Sequence, residues 1–391
     1  MNVSKLPKNN SFIYLFIIIL LVAAFWIGRT TSGPDLKPHV RNIFNQAAFF
    51  EDTQGIYSVF SEQNELIGWA AAGSASGYGG PLLVIAGIDT AGKVAGASVV
   101  EHKETPVFFR MVKTTDFFQS LTGRLFDEID YDSREIVGAT GATCSADAVV
   151  EGIRRAVAKV AGDKFNVHVP VRERPLKFGF LEIAIIVLFS LGIAAHHIGK
   201  SFREWLRWTG QIAGLLIIGF WENSPINIAK ISAFLSGYFP DLHSDLYWYL
   251  LIGGFVLTIL IYGKSVYCSN ICPFGAAQRC IGLIGGANAK LPVWSVRLMN
   301  GLRNFFVFAA VTAALITAQP GSASYEPFAA IFALKGTLFQ WFLLFIVLIA
   351  SLIINRPWCH FFCPMRTCER VLQIVRQKTI NFRKLYGKKI K

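Results

Sequence analysis

Six predominantly apolar runs, at about 9–28, 178–198, 208–221, 246–263, 304–323 and 336–355, limit what this chain can fold into. A helix crosses a bilayer core with ~20 such residues. The composition agrees, with 53% hydrophobic residues, 33 Phe and a mean hydropathy of +0.45, more than a soluble fold needs. The 208–221 run is short, so its helix starts earlier or tilts. The apolar stretch 231–240 is too short to span and reads as an interfacial or re-entrant piece. No Ala-x-Ala pattern follows the first run, and its apolar centre at 12–26 is longer than that of a usual signal peptide. It reads as a retained anchor.

A formal charge of +13 raises nucleic acid as a partner, but the cations stand beside the apolar runs and in the tail, on no nucleic-acid motif. Their placement reads as topology, because positively charged loops stay cytoplasmic. Segment 264–303 carries Lys264, Arg279, Lys290, Arg297 and Arg303 with no Asp or Glu. The tail after Arg356 adds nine more Lys or Arg against Glu369 alone. Lys200, Arg203 and Arg207 in the 199–207 loop agree, and loops 222–245 and 324–335 lack the bias. With six spans both termini lie inside and the segment 36–172 lies outside, as in a multi-pass protein with its charged loops in the cytoplasm.

Residues 36–172 have the character of a soluble α+β domain. The β-rich runs 82–88 and 94–100 flank the turn Asp89-Thr90-Ala91-Gly92, a strand–turn–strand signature, and helices are expected at 38–50 and 146–160. The expected organisation is an anchor at 1–30, this outer domain, a five-helix membrane domain over 176–370 and a basic cytoplasmic tail over 371–391.

Two stretches carry chemistry. In Thr140-Gly141-Ala142-Thr143, small residues let the backbone approach a phosphate, and a hydroxyl at a helix start sits where N–H groups and the helix dipole stabilise an anion. Such a turn also serves as a simple helix cap. The second feature is duplicated: Tyr267-Cys268-Ser269-Asn270-Ile271-Cys272-Pro273 and Trp358-Cys359-His360-Phe361-Phe362-Cys363-Pro364 each follow an apolar run. Cysteines at this spacing on helical turns share a face, where thiolates hold a metal or cluster. Either the two motifs converge on one four-thiolate centre, or Cys280 and Cys368 join their own neighbours with an outside fourth ligand. His360 is a further possible ligand. His196 and His197 are adjacent and point about 100° apart on a helix, so they cannot both face one iron.

The first stretch resembles the flavinylation motif of RnfG/NqrC-type FMN-binding domains, in which a separate transferase joins FMN to a Thr by a phosphodiester bond. The resemblance puts the modified hydroxyl on Thr143, with Thr140, Gly141 and Ala142 completing the motif. It also matches Gly77-Tyr78-Gly79-Gly80-Pro81 and His102-Lys103-Glu104-Thr105-Pro106, so that Tyr78, Gly79, Glu104, Thr105 and Pro106 join the expected flavin site. Val137 stands where the motif has Asp, and Val107 where a Gly follows Thr-Pro.

Together the anchor, outer domain and two Cys-x-x-x-Cys-Pro motifs resemble NosR/NapH-type membrane flavoproteins, including those of reductive dehalogenase operons, in a short form without the C-terminal ferredoxin domain. The resemblance implies an electron-transfer component of an oxidoreductase system with covalent FMN and an iron–sulfur cluster of the 4Fe-4S type. Cys268, Cys272, Cys359 and Cys363 are the first ligands expected, Cys280 and Cys368 the second. Implied partners are the lipid bilayer, a flavin transferase, a quinol or cytoplasmic ferredoxin-like donor, and a periplasmic reductase, such as nitrous oxide reductase, or its maturation proteins. The other reading is a redox-sensing regulatory or assembly protein. No Gly-rich strand–turn–helix for NAD(P)H is present.

Overall fold

In the computed structural model, residues 11–30, 35–77, 81–102, 117–127, 129, 143–169, 178–240, 242–243, 245–289 and 291–387 are described. The chain divides into two compact units, 1–173 with 229–239 and 310–324, and 174–228 with 240–309 and 325–391.

The first unit is built on a five-stranded antiparallel meander in the order β1 (Phe49–Thr53), β2 (Ile56–Phe60), β3 (Leu66–Ser76), β4 (Pro81–Asp89) and β5 (Val94–His102). The expected hairpin is there. Asp89 Oδ1 accepts from the Ala91 and Lys93 amides at 2.9 and 2.8 Å, and Gly92 takes φ +83°, a left-handed position suited to Gly. One face of the sheet is covered by α2 (Lys37–Ile43) and Phe44, which form a core with Val40, Val59, Ala70 and Ile85. The helix expected at 38–50 is therefore shorter. It ends at Ile43, and Phe49 already pairs with Phe60 in the sheet.

After α3 (Phe117–Leu121), α4 (Thr143–Lys164) crosses β3 and β4, burying Val149, Ile153, Val157 and Val160. A Cβ at Gly73 would meet the Gly152 carbonyl and lie 2.6 Å from the Ala156 nitrogen, so the helix can approach only a glycine there. Arg154 and Glu151 are buried in α4 and bond at 2.6 and 2.7 Å through one guanidinium nitrogen, while Arg155 reaches the same carboxylate at 2.8 Å. Replacing Glu151 by Leu strips both arginines of this acceptor. It is expected to destabilise the first unit by about 1–3 kcal/mol, read as a lower unfolding midpoint. The first unit also contains the N-terminal helix α1 (Ser11–Thr30).

The second unit is helical. It contains α5 (Phe180–His197), then α6 (Lys200–Gly214), which runs without a break into a π-helical segment, Leu215–Trp221. From Lys200 the 199–207 stretch is thus helix rather than loop, and the short 208–221 run belongs to a helix that starts earlier. Ile228–Leu235 forms α7, most of which falls with the first unit. The remaining helices are α8 (Leu246–Tyr262), α9 (Pro273–Ile284), α10 (Val293–Ile316), α11 (Phe328–Phe332), α12 (Leu338–Ile353), α13 (Pro357–Phe361) and α14 (Pro364–Gly387).

Helix α10 is shifted from the expected 304–323: it begins before Arg297 and ends ahead of Pro320. Arg303, read as a loop cation, is a buried helix residue donating to the His360 carbonyl at 2.9 Å and to the Thr367 hydroxyl at 3.2 Å. Among the described residues α10 is the one helix both long and apolar enough to cross a membrane. Apolar helices of 10–17 residues cover Leu15–Thr30, Phe180–Ala195, Leu246–Tyr262 and Leu338–Ile353. Several present large apolar side chains outward, as with Phe339, Phe342, Phe345 and Ile353 on α12. Such a stripe is rare on a soluble protein.

Candidate functional site

The two Cys-x-x-x-Cys-Pro motifs fold alike. In each, the amide of the second cysteine donates to the carbonyl five residues back, Cys272 to Tyr267 at 2.8 Å and Cys363 to Trp358 at 2.9 Å. The aromatic residue before the first cysteine is thus the acceptor that closes a wide, π-type turn. Both aromatic rings are buried. The proline after the second cysteine then starts a helix, α9 at Pro273 and α14 at Pro364. Proline suits that first position because its missing N–H has no partner to lose. The cysteine is left against the helix N-terminus. The backbone amides of Gly275 and Phe274 beside Cys272, and that of Met365 beside Cys363, act in the direction that favours the thiolate. The proline in each motif therefore aims a helix start at a sulfur, where the dipole favours a thiolate.

The copies exchange partners. Helix α9, which follows the first motif, packs on α12, while α14, which follows the second, packs on α8. Six residues after the second cysteine of each motif stands a polar side chain that reaches into the other copy. Gln278, fully buried, accepts from the Trp358 amide at 2.9 Å and donates to Cys359 Sγ at 3.7 Å. Glu369 accepts from the Ser265 amide at 3.1 Å, and Ser265 Oγ accepts from the Cys268 amide at 3.1 Å. Neither clasp was singled out from the sequence, although aligning the two motifs would have shown the common offset.

The exchange brings Cys268, Cys272, Cys359 and Cys363 to the wall of one cavity of about 410 Å³. Cys280 and Cys368 are not among its lining residues, so the structure brings together the four thiols of the two motifs that the first of the two arrangements requires. Burial pushes all four thiols up, Cys272 to about 11, and neighbouring thiols add to the effect at Cys268, Cys272 and Cys363. At Cys359 burial is the largest cause and the Arg356 guanidinium pulls the other way. Such thiols give up their protons to a bound metal centre rather than to water. Among the described residues no three His, Cys, Asp or Glu close around a single ion. A polynuclear cluster spaces its thiolates more widely than a one-ion site with ~2.3 Å metal–sulfur bonds.

Arg207, Arg279, Arg356 and Arg366 also line the cavity, with His360 and Glu369. Arg279 and Arg207 share Glu204 at 2.9 and 3.1 Å, and Arg279 lies 4.1 Å over the Trp208 ring. Burial, helped by Arg366, Arg356 and Arg303, holds the His360 imidazole below its ordinary range.

The first motif is seated on glycines. A Cβ at Gly210 would lie 2.8 Å from the Asn270 oxygen, and one at Gly214 would meet the Ile271 oxygen. Gln211 between them donates to the Ser269 carbonyl at 2.7 Å. Gly214→Ala must push the turn away from α6. We expect it to cost about 1–3 kcal/mol of overpacking and to lower bound iron, measured beside the unfolding midpoint.

In the first unit, Thr143 is the first residue of α4, so the expected attachment residue opens a helix. Tyr78, Gly79, Glu104, Thr105, Pro106, Thr140, Gly141 and Ala142 lie outside the described residues.

Comparison with known proteins finds a family match over each of these regions. Residues 77–158 match the family of the FMN-binding domain, and residues 244–292 and 337–381 match that of the 4Fe-4S binding domain. The second match falls in two parts, each holding one cysteine pair. The chain is similar to protein NirI of Paracoccus denitrificans, 25% identical over 39% of this chain and 24% of that protein. It is also similar to a component of the ion-translocating oxidoreductase complex of Vibrio vulnificus, 37% identical over 21% of this chain and 43% of that one. With the regulatory protein NosR of Stutzerimonas stutzeri it is 22% identical over 47% of this chain and 27% of that one. The matches thus span less than half the length of each of these three relatives.

Proposed function

We propose that this chain, a NosR-like flavoprotein with an FMN-binding domain and a two-part 4Fe-4S binding domain, carries electrons across a bacterial inner membrane between a cytoplasmic-side donor or quinol and an outer, covalently bound FMN. The observation that carries the reading is the convergence of four cysteines from two distant motifs on one cavity, in a chain that also holds an FMN-binding domain. Four thiols, two helix starts and a cationic wall fit a 4Fe-4S cluster, which supplies one-electron chemistry when bound. Flavin interconverts one- and two-electron states, which suits a relay.

The chain's own residues have distinct tasks. Cys268, Cys272, Cys359 and Cys363 ligate, while Gln278 and Glu369 hold the two motifs in register. Thr143 tethers FMN through its phosphate, placed by a transferase, with the start of α4 offering N–H groups to that anion. A tether keeps the flavin from dissociating into a compartment poor in free FMN.

The membrane topology is part of the proposal. Its support is the apolar faces that α12 and its neighbours turn outward and the Lys and Arg bias of the segments after 263 and 356. Both termini are inside and the FMN domain is outside. A periplasmic reductase, or the machinery that matures one, receives the electrons.

The test uses the full-length protein coproduced with a flavin transferase and reconstituted in vesicles. FMN reduction by an inner-side donor or quinol is followed in wild type and in Cys272→Ala, with the flavin of both reducible by dithionite. Equal rates of donor-driven reduction would remove the relay. A regulatory role, which the name of NosR of Stutzerimonas stutzeri carries, predicts instead that truncation after Cys368 abolishes the biological response while flavin reduction survives.

A further inference from the structure

One electron added to an iron–sulfur centre spreads negative charge over its thiolates, and an N–H donor or a cation beside a thiolate stabilises that form more than the oxidised one. Among the groups beside these thiols that are not ligands, two are placed to act on Cys359, one behind its sulfur and one on the cavity wall. The first is Gln278. Its side chain is fully buried, its oxygen is occupied by the Trp358 amide, and its nitrogen faces Cys359 Sγ at 3.7 Å while also bonding the Phe274 carbonyl at 3.2 Å. The amide cannot turn over without losing all three contacts, so an N–H is fixed on that sulfur.

The second is Arg356. It lines the cavity three residues before Cys359, and among the described residues it has no carboxylate partner, whereas Arg207 and Arg279 share Glu204. Its charge is felt at both Cys359 and Cys272, one cysteine from each motif. Its backbone takes φ 52°, ψ 59°, a left-handed conformation that a Gly would adopt more easily. The side chain is held there against that local preference.

We infer that Gln278 and Arg356 are positioning residues that raise the reduction potential of the four-cysteine centre, Gln278 by an N–H bond to Cys359 and Arg356 by a charge on the cavity wall that no carboxylate among the described residues pairs with. The step they bias is the one-electron reduction of the cluster, with the electron drawn from the donor and no proton or bond exchanged with either residue. The inference rests on the four-thiolate reading above.

The test is an EPR-monitored potentiometric titration of the anaerobically purified, full-length protein, with iron and labile sulfide measured on every sample. At a fixed ambient potential, Gln278→Leu and Arg356→Gln are each expected to lower the ratio of reduced to oxidised cluster about tenfold, which for one electron is 59 mV. Arg356→Lys keeps the charge and recovers most of the shift. Lys378→Gln, on the exposed part of α14 outside the cavity, leaves it unchanged. Loaded variants with wild-type or higher potentials overturn the inference and leave the centre standing, whereas wild-type protein without iron overturns the centre and the inference together. Should Gln278→Leu fail to accumulate, Arg356→Gln against Arg356→Lys decides the outcome.

Discussion

Cys272→Ala and Cys359→Ala are each expected to empty the whole centre, bringing iron and labile sulfide at least about tenfold below wild type. The expectation follows from the convergence of both motifs on one cavity. If each motif held its own centre, one substitution would leave the other copy loaded and remove about half of the iron. Cys280→Ala and Cys368→Ala supply the contrast. Neither residue lines the cavity, so both variants should retain iron near the wild-type level. The double variant Cys272→Ala/Cys359→Ala should be no worse than either single one, because ligands of one centre are not additive. Iron and sulfide analysis of anaerobically purified protein decides among these outcomes. Loss of iron in Cys368→Ala with retention in Cys272→Ala would assign the ligands differently.

The second large effect is at Thr143. Coproduced with a flavin transferase, the wild-type chain should carry a fluorescent band through denaturing electrophoresis, and Thr143→Val should carry none. Valine keeps the β-branched shape at the start of α4 but has no hydroxyl to esterify, so the FMN-binding domain should stay folded. Thr143→Ser restores an oxygen and should restore part of the fluorescence. Non-covalent FMN bound by Thr143→Val after refolding with free cofactor would separate attachment from binding. Val137, standing where the resembling motif has Asp, gives a third arm. Val137→Asp should increase the flavinylated fraction if that carboxylate serves the transferase. A fluorescent Thr143→Val band would place the attachment elsewhere.

Much of the local structure was legible because it depends on near neighbours. Short β-rich runs and an Asp-x-x-Gly turn placed β4 and β5 within two residues of their observed ends, and the Ala- and Val-rich stretch placed α4. The helix at 38–50 was overextended because Phe49 and Phe50 fit either element, and pairing with β2 decided for the strand. Arg297 and Arg303 likewise made the start of α10 look like loop. A buried guanidinium is costly by itself. Only the His360 carbonyl and Thr367 hydroxyl, from a segment some sixty residues away, make Arg303 admissible within a helix.

The Cys-x-x-x-Cys-Pro motifs show the same division. The sequence by itself determined that there are two copies, that each offers two thiols on helical turns, and that apolar runs lead into both. These are properties of spacing and residue type, carried by short segments. That the four thiols meet at one cavity was decided by the tertiary structure alone, because α9 and α14 each pack on the other copy's helix and the Gln278 and Glu369 clasps cross between copies. Those contacts join residues about eighty to one hundred positions apart, and no local propensity encodes them. The physical reason is that a buried amide or a half-buried carboxylate finds its partner wherever the fold supplies one. Here the fold supplies it across the repeat, and the cavity with its four sulfurs is the result.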